Sequence, residues 1–333
     1  IGGPWENQDC MSLLDHLDVF DETLKDIGEV RALQHLLRNL ESRDDIKVGI
    51  GDDCAVINPE NSSSYDLLLT SDPVIAGIHF TMDDSAQAIG RKALGRVLSD
   101  IAAMGGEPLW ALVDLVAPAT TKVSWLDQIY NGISELAKQN DIVIAGGDLS
   151  RGELVELHVF GIGRIPIGKA LLRAGARAGD ILFVTGALGG SLKQKHLNFQ
   201  PRVKQGKWLS TGNWGSAMID ISDGLALDLK HLAMQSKVGA IVMLESVPIL
   251  GELLKKCDRH TALQHAFSDG EDYELLFTVP PDKAKAMQIA WRKTFDLQLT
   301  QIGVITGQAE ILECIDKDGT KRDLSESGYN HFA

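Results

Sequence analysis

The chain has 333 residues, 44% hydrophobic and 23% charged, a globular composition with room for two domains of ordinary size, each with its own core. Its 46 acidic against 32 basic residues give a formal charge of −14. That excludes the basic footprint of a nucleic-acid binder, but not a nucleotide site in which divalent cations bridge two anionic surfaces. No run approaches the ~18–20 apolar residues of a membrane helix, and the acidic start lacks the positive-then-apolar layout of a secretion signal. Cys10, Cys54, Cys257 and Cys314 fall in no CxxC or regular His spacing, so reduced thiols in a cytoplasmic protein are expected.

In chain order, residues 1–45 read as a helical extension, with Leu33, Leu36, Leu37 and Leu40 at helical spacing. Residues 46–165 read as an α/β unit. Its strand candidates are "KVGIGDDCAVI", "YDLLLTSDPVIAGIHF", "PLWALVDLVAP", "DIVIAGGDLS" and "LVELHVFGIGRI". Between them lie helices in "AIGRKALGRVLSDIAAMGG" and "SWLDQIYNGISELAKQN". Residues 166–333 read as an α+β unit. "DILFVTGAL", "AMIDISD", "GAIVMLESVPI" and "DYELLFTVPP" are its strands, "GLALDLKHLAMQS" and "PDKAKAMQIAWRKTF" its helices, and "QIGVITGQAEILEC" a late hairpin. Periodicity leaves the sheet order open.

An Asp just after an apolar strand and beside Gly recurs: Asp52 and Asp53 in "GIGDDCAVI", Asp72 in "LLLTSDP", Asp100 in "VLSDIAAMGG", Asp148 in "VIAGGDLS", Asp220 and Asp223 in "MIDISDG". Each alone has a bland explanation, since Asp and Ser close turns and cap helices. Ser222 or Asp223 could cap the helix starting near Leu225, and Asp148 could close a Gly-Gly turn. Together they point to a cation, because strand-end loops present functional groups and clustered carboxylates repel without one. Mg²⁺ fits best, being hard, oxygen-seeking and commonly shared between carboxylates and phosphates. Gly146, Gly147 and the helix start at Ser222 offer backbone and hydroxyl donors for phosphate. Asp228, one turn further along that helix, reads as a solvated residue.

Other nucleotide signatures fail. "GRIPIGKA", residues 163–170, ends in Ala170 where a P-loop needs Ser or Thr, and Pro166 stiffens it. There is no Rossmann fingerprint and no protein-kinase H-R-D and D-F-G pair.

The ordered set "GIGDDCAVI", "TSDPVIAGIHF", "IGRKALGRVLSDIAAMGGEP", "AGGDLSRG", "GKALLRAGARAGD", "MIDISDGLALDL", "SDGEDYELLFTVP" and "GYNHF" resembles the thiamine-monophosphate kinases over about residues 46–333. These belong to the wider superfamily of aminoimidazole ribonucleotide synthase, selenophosphate synthetase and a hydrogenase-maturation protein. The resemblance implies phosphorylation of thiamine monophosphate to thiamine diphosphate by ATP with several Mg²⁺ ions, the last step of thiamine diphosphate biosynthesis. It implies metal ligation by Asp52, Thr70, Ser71, Asp72, Asp100, Asp148, Asp220 and Asp223, with Asp148, Asp220 and Asp223 closest to the chemistry. It implies ATP contacts from Tyr130, Gly147, Asp148, Arg173 and Ser222, and substrate contacts from His79, Glu271 and Tyr329. It also implies a homodimer whose N-terminal α/β domains share a barrel-like sheet, each followed by a C-terminal α+β domain.

The sequence departs from the family pattern at Leu149, Gly190 and Asp269, and "SLKQKHLNFQPRVKQGKWL" is short for the connecting helices. Three rival readings remain: another ATP-using enzyme of the superfamily, a non-catalytic nucleotide or metal sensor, and a calcium-stabilised structural protein. Cys10 in "NQDCMS" does not resemble the reactive segment of a selenophosphate synthetase.

Overall fold

The computed structural model describes residues 43–324 apart from 50, 60, 61, 63, 192–194 and 310, together with Thr23, Lys25, Asp26 and Leu36. The helical reading of residues 1–45 and the "GYNHF" segment thus lie almost wholly outside the described residues. The described residues from Arg43 to Leu324 fall in one compact unit.

"KVGIGDDCAVI" becomes a small antiparallel hairpin, β1 (Ile46–Val48) and β2 (Ala55–Ile57), which pairs onto β3 (Tyr65–Ile75). Then follow α1 (Ala86–Ala103), β4 (Glu107–Ala117), α2 (Val123–Gln139), β5 (Val143–Arg151) and β6 (Glu156–Pro166). The sheet order is β1-β2-β3-β6-β4-β5, with β4 and β5 parallel because α2 carries the chain back between them. Among the described residues this six-stranded sheet is open, bounded by β1 and β5, and closes into no barrel. Most of α1 is buried, and its apolar residues run all round it, as a helix covered on every side requires. It packs on α2 so closely that a Cβ at Gly90 would meet the Ile129 carbonyl oxygen at 1.9 Å, and one at Gly132 the Gln87 carbonyl oxygen at 1.9 Å.

The second sheet comprises β7 (Ile181–Thr185), β8 (Ala217–Asp220), β9 (Gly239–Met243), β10 (Leu275–Val279), β11 (Leu299–Thr306), β12 (Leu312–Ile315) and β13 (Lys321–Asp323), ordered β13-β12-β9-β11-β7-β10-β8. Its helices are α3 (Val203–Thr211), α4 (Leu225–Ser236), α5 (Arg259–Ser268) and α6 (Pro281–Thr294). The expected connecting helices reduce to α3 and a single turn at His196–Asn198. Helix α5 has no counterpart in the sequence reading.

One expectation is corrected here. β11 and β12 do not form a hairpin: β9 lies between them, antiparallel to β11 and parallel to β12, and the late hairpin is β12–β13. Besides an apolar cluster within the second half and a small one within the first, the halves share a core. The largest apolar cluster runs from Val74 and Val113 of the first sheet to Phe183, Met218 and Phe277 of the second. Trp291 of α6 anchors its far end, its ring 5.7 Å from that of Trp208 and 4.7 Å from that of Phe295.

Candidate metal and phosphate site

Three carboxylates converge where the two sheets meet. Asp53 stands in the turn before β2, Asp100 on α1 and Asp220 at the end of β8, with ligand oxygens all within 4.8 Å of one another. Each is oriented by a neighbour. Arg173 Nη2 donates to Asp53 at 2.7 Å, Thr70 Oγ1 to Asp100 at 2.5 Å and Ser99 Oγ to Asp220 at 2.5 Å. The second oxygen of Asp53 is buried without a hydrogen-bond partner in the protein.

Burial and mutual repulsion disfavour the charged forms. Burial, then the charge of Asp53, pushes Asp220 up to about 7. The same two causes push Asp52 up to about 7. Burial raises Asp53, and burial with Asp72 and Asp220 beside it raises Asp100 well above the usual carboxylate range. An all-oxygen donor set, a lone buried oxygen and excess negative charge fit a hard divalent cation of the Mg²⁺ type.

The sequence-predicted residues divide around this cluster. Asp53, absent from the implied ligand set, is central, whereas Asp52 accepts the Arg173 backbone N–H at 3.1 Å. Thr70 and Asp72 are interior to β3, not past its end, and strand alternation turns both toward α1 and leaves Ser71 exposed on the other face. Asp72 accepts from Arg96 of α1 at 2.9 Å. Asp100 is likewise inside a helix, not after a strand.

Asp223 follows β8 but does not cap α4. The N-cap is Gly224 at φ 106°, where a Cβ would meet the Phe267 carbonyl oxygen at 2.5 Å. The Asp223 N–H instead donates to Asp228 at 3.0 Å. Asp228 is therefore not solvated: it is 1% exposed and forms a second group with Asp223 and His231, whose ring burial and Arg173 hold down at about 4. The α4 face carrying Asp228 packs inward, which charge type alone could not reveal. The Ser222 carbonyl accepts the Glu271 N–H at 2.7 Å.

Asp148 stands apart. It lies inside β5, register-paired with Asp114 and bonded to Ser150 Oγ at 2.9 Å. β5 is three strands from β3 in the sheet order, about 14 Å along the sheet. A Cβ at Gly147 would meet the Val113 carbonyl oxygen at 1.9 Å, so only Gly fits this close pairing. Tyr130 of α2 lines a groove of about 610 Å³ with Asp127, Ser134, Val143 and Ile144. Burial, then Asp114, raises its phenol.

His79 is buried, and its Nδ1 accepts the Ile75 N–H at 3.1 Å, which assigns the proton of the neutral ring to Nε2. Glu271, at φ 56°, pairs with Lys92 at 2.7 Å and with His196 at 3.1 Å. Burial opposes its charge, yet His196 and Lys92 bring it down to about 2. Tyr329 lies outside the described residues. Of the departures, Leu149 is exposed on β5, Gly190 sits at φ 76°, and Asp269 bonds His265 at 2.8 Å.

Sequence reasoning missed Lys92, Arg96 and His196. The first two were findable: Lys92, Arg96 and Asp100 repeat every four residues, so they share one face of a helix.

Comparison with known proteins gives a consistent set. Residues 51–165 match the AIR synthase related protein N-terminal domain and residues 193–314 its C-terminal domain. The thiamine-monophosphate kinase of Escherichia coli is 36% identical over 315 residues, 88% of this chain and 94% of that one. That of Rhodopirellula baltica is 40% identical over 275 residues, 79% of this chain and 84% of that one. A solved structure of AaThiL complexed with AMPPCP and TMP superposes with a TM-score of 0.80 at 30% identity, covering 94% of this chain and 99% of that one. A thiamine-monophosphate kinase from Stenotrophomonas maltophilia gives 0.71 at 36% identity, over 86% and 96%.

Proposed function

The chain belongs to the thiamine-monophosphate kinase family, and on that premise we propose that it transfers the γ-phosphoryl group of ATP to thiamine monophosphate, releasing ADP and thiamine diphosphate. The observation that carries the chemistry is the Asp53–Asp100–Asp220 cluster with its unpartnered buried oxygen. An acceptor oxygen of the substrate phosphate attacks the γ-phosphorus in line, and the bond to the β-phosphate oxygen breaks. The acceptor phosphate, with a second pKa of about 6, is already largely ionised at neutral pH and needs no strong general base. Asp53, Asp100 and Asp220, with Asp72 and Asp223 beside them, would hold Mg²⁺, and Asp148 on β5 would hold a separate ion; the metal would supply charge neutralisation for the transferring phosphoryl group.

The protein's own groups then divide the work. Ser99 and Thr70 orient ligand carboxylates, Arg173 holds Asp53 and offers positive charge to the nucleotide, and Tyr130, Gly147 and Ser222 receive ATP. His79, Glu271 and Tyr329 receive thiamine monophosphate. We further propose the boundary near residue 165 between an α/β and an α+β domain, a cytoplasmic location, and a homodimer. The dimer reading rests on the open sheet, whose outer face exposes Trp110, Leu112 and Phe160, and on the exposed edge strand β5.

The test is incubation with ATP, Mg²⁺ and thiamine monophosphate, with thiamine diphosphate read by oxidation to its fluorescent thiochrome. Product requiring all three components supports the reading, and no product with any of them overturns it. Asp148→Ala and Asp223→Ala should each lower turnover at least ~100-fold, the scale of losing one key electrostatic group. Near-normal turnover in both would remove them from the site.

A further inference from the structure

A lysine with no exposed side-chain surface is costly to bury, and Lys92 on α1 is one. Its ammonium has three N–H donors and three close polar neighbours. It donates to the His79 carbonyl at 2.6 Å and to Glu271 Oε2 at 2.8 Å, and lies 2.8 Å from His196 Nδ1. These partners come from three separate segments: the turn after β3, the single turn between the sheets, and the loop before β10. One helical turn on, Arg96 bonds Asp72 at 2.9 Å and reaches to 3.7 Å from Glu271. Glu271 itself sits in the left-handed region, at φ 56°, which a side-chain-bearing residue adopts only when held there. Its carboxylate anchor on Lys92 and its backbone bond to Ser222 are what hold it.

We propose that Lys92 is a positioning residue for substrate recognition: it fixes the Glu271 carboxylate and the His79 main chain as one substrate-facing unit, which Arg96 ties to Asp72 on the metal side. The inference rests on the function proposed above, in which His79 and Glu271 face thiamine monophosphate. A carboxylate has about four acceptor positions, so Glu271 keeps capacity for a donor on the substrate after Lys92 and His196 are served. The pair stays ionised at neutral pH, since burial lowers Lys92 only to about 8 while Glu271 stands at about 2.

The test compares wild type, Lys92→Met, Glu271→Gln and the double variant Lys92→Met/Glu271→Gln in the thiochrome assay. Lys92→Met keeps the volume and removes the ammonium. Its KM for thiamine monophosphate should rise roughly 10- to 100-fold while kcat and the KM for ATP stay within about threefold, the pattern of lost substrate binding. Because Lys92→Met strips the partly buried Glu271 carboxylate of its nearest cation, the double variant guards against misfolding by removing both charges. It should match Glu271→Gln alone within about twofold in KM, since the two residues act as one unit. A KM for thiamine monophosphate unchanged in Lys92→Met, or a double variant whose KM multiplies the two single effects, would overturn the proposal while an active wild type left the kinase reading intact. An inactive wild type would instead count against the kinase reading itself.

Discussion

Cation binding at the carboxylate cluster should expel protons, and the amount follows from the site. Asp220, a member of the cluster, stands at about 7 in the metal-free protein. At that pH it is half-protonated and retains about half a proton, and Asp53 and Asp100 are raised in the same direction. A cation requires all three ionised, so Mg²⁺ binding near pH 7 should release at least about half a proton. Apparent Mg²⁺ affinity should then rise with pH, about tenfold per pH unit for each proton released. The sign for stability follows from the same shift. Between about pH 4 and 7 the folded state holds protons that the unfolded chain has lost, so the metal-free protein should become less stable as pH rises through that window. Mg²⁺ should restore stability most at the high end. Calorimetric titration with Mg²⁺ in two buffers of different ionisation enthalpy reads the proton count directly, and thermal melts give the stability trend. Identical heats in both buffers with a pH-independent affinity would refute the reasoning.

Within the Gly-Asp-Asp turn the two carboxylates should separate cleanly: Asp53→Ala should cost ~100-fold in turnover and raise the Mg²⁺ requirement, and Asp52→Ala under ~10-fold, as steady-state rates against Mg²⁺ will report. Trp291, 1% exposed with its indole N–H on the Leu297 carbonyl at 2.8 Å, anchors the shared core. Trp291→Ala should therefore destabilise by about 3–5 kcal/mol in urea unfolding with an unchanged m-value. Leu149 is 66% exposed on edge strand β5. If that edge is a dimer contact, a lysine there blocks it, and sedimentation velocity should show a dimeric wild type and a monomeric Leu149→Lys. Equal sedimentation of the two would remove β5 from the interface.

The sequence by itself determined the reaction class and nearly every strand and helix that carries it. Apolar runs ending in Asp and Gly marked β3, β5 and β8, and the order of the motifs carried the family, because local propensity and short motifs are properties of neighbouring residues. Tertiary structure decided what depends on residues far apart in the chain. Asp53 displaced Asp52 at the cluster because Arg173, 120 residues on, takes Asp53 with its guanidinium and Asp52 with its backbone N–H. Asp228 became a buried partner of Asp223 because α4 turns that face inward. β9 came between β11 and β12 because strand order answers to packing, which periodicity does not encode. Lys92 acquired its place only when Glu271, 179 residues away, folded onto it. A buried charge is stable only where its partner lies, and no local window of sequence contains that partner.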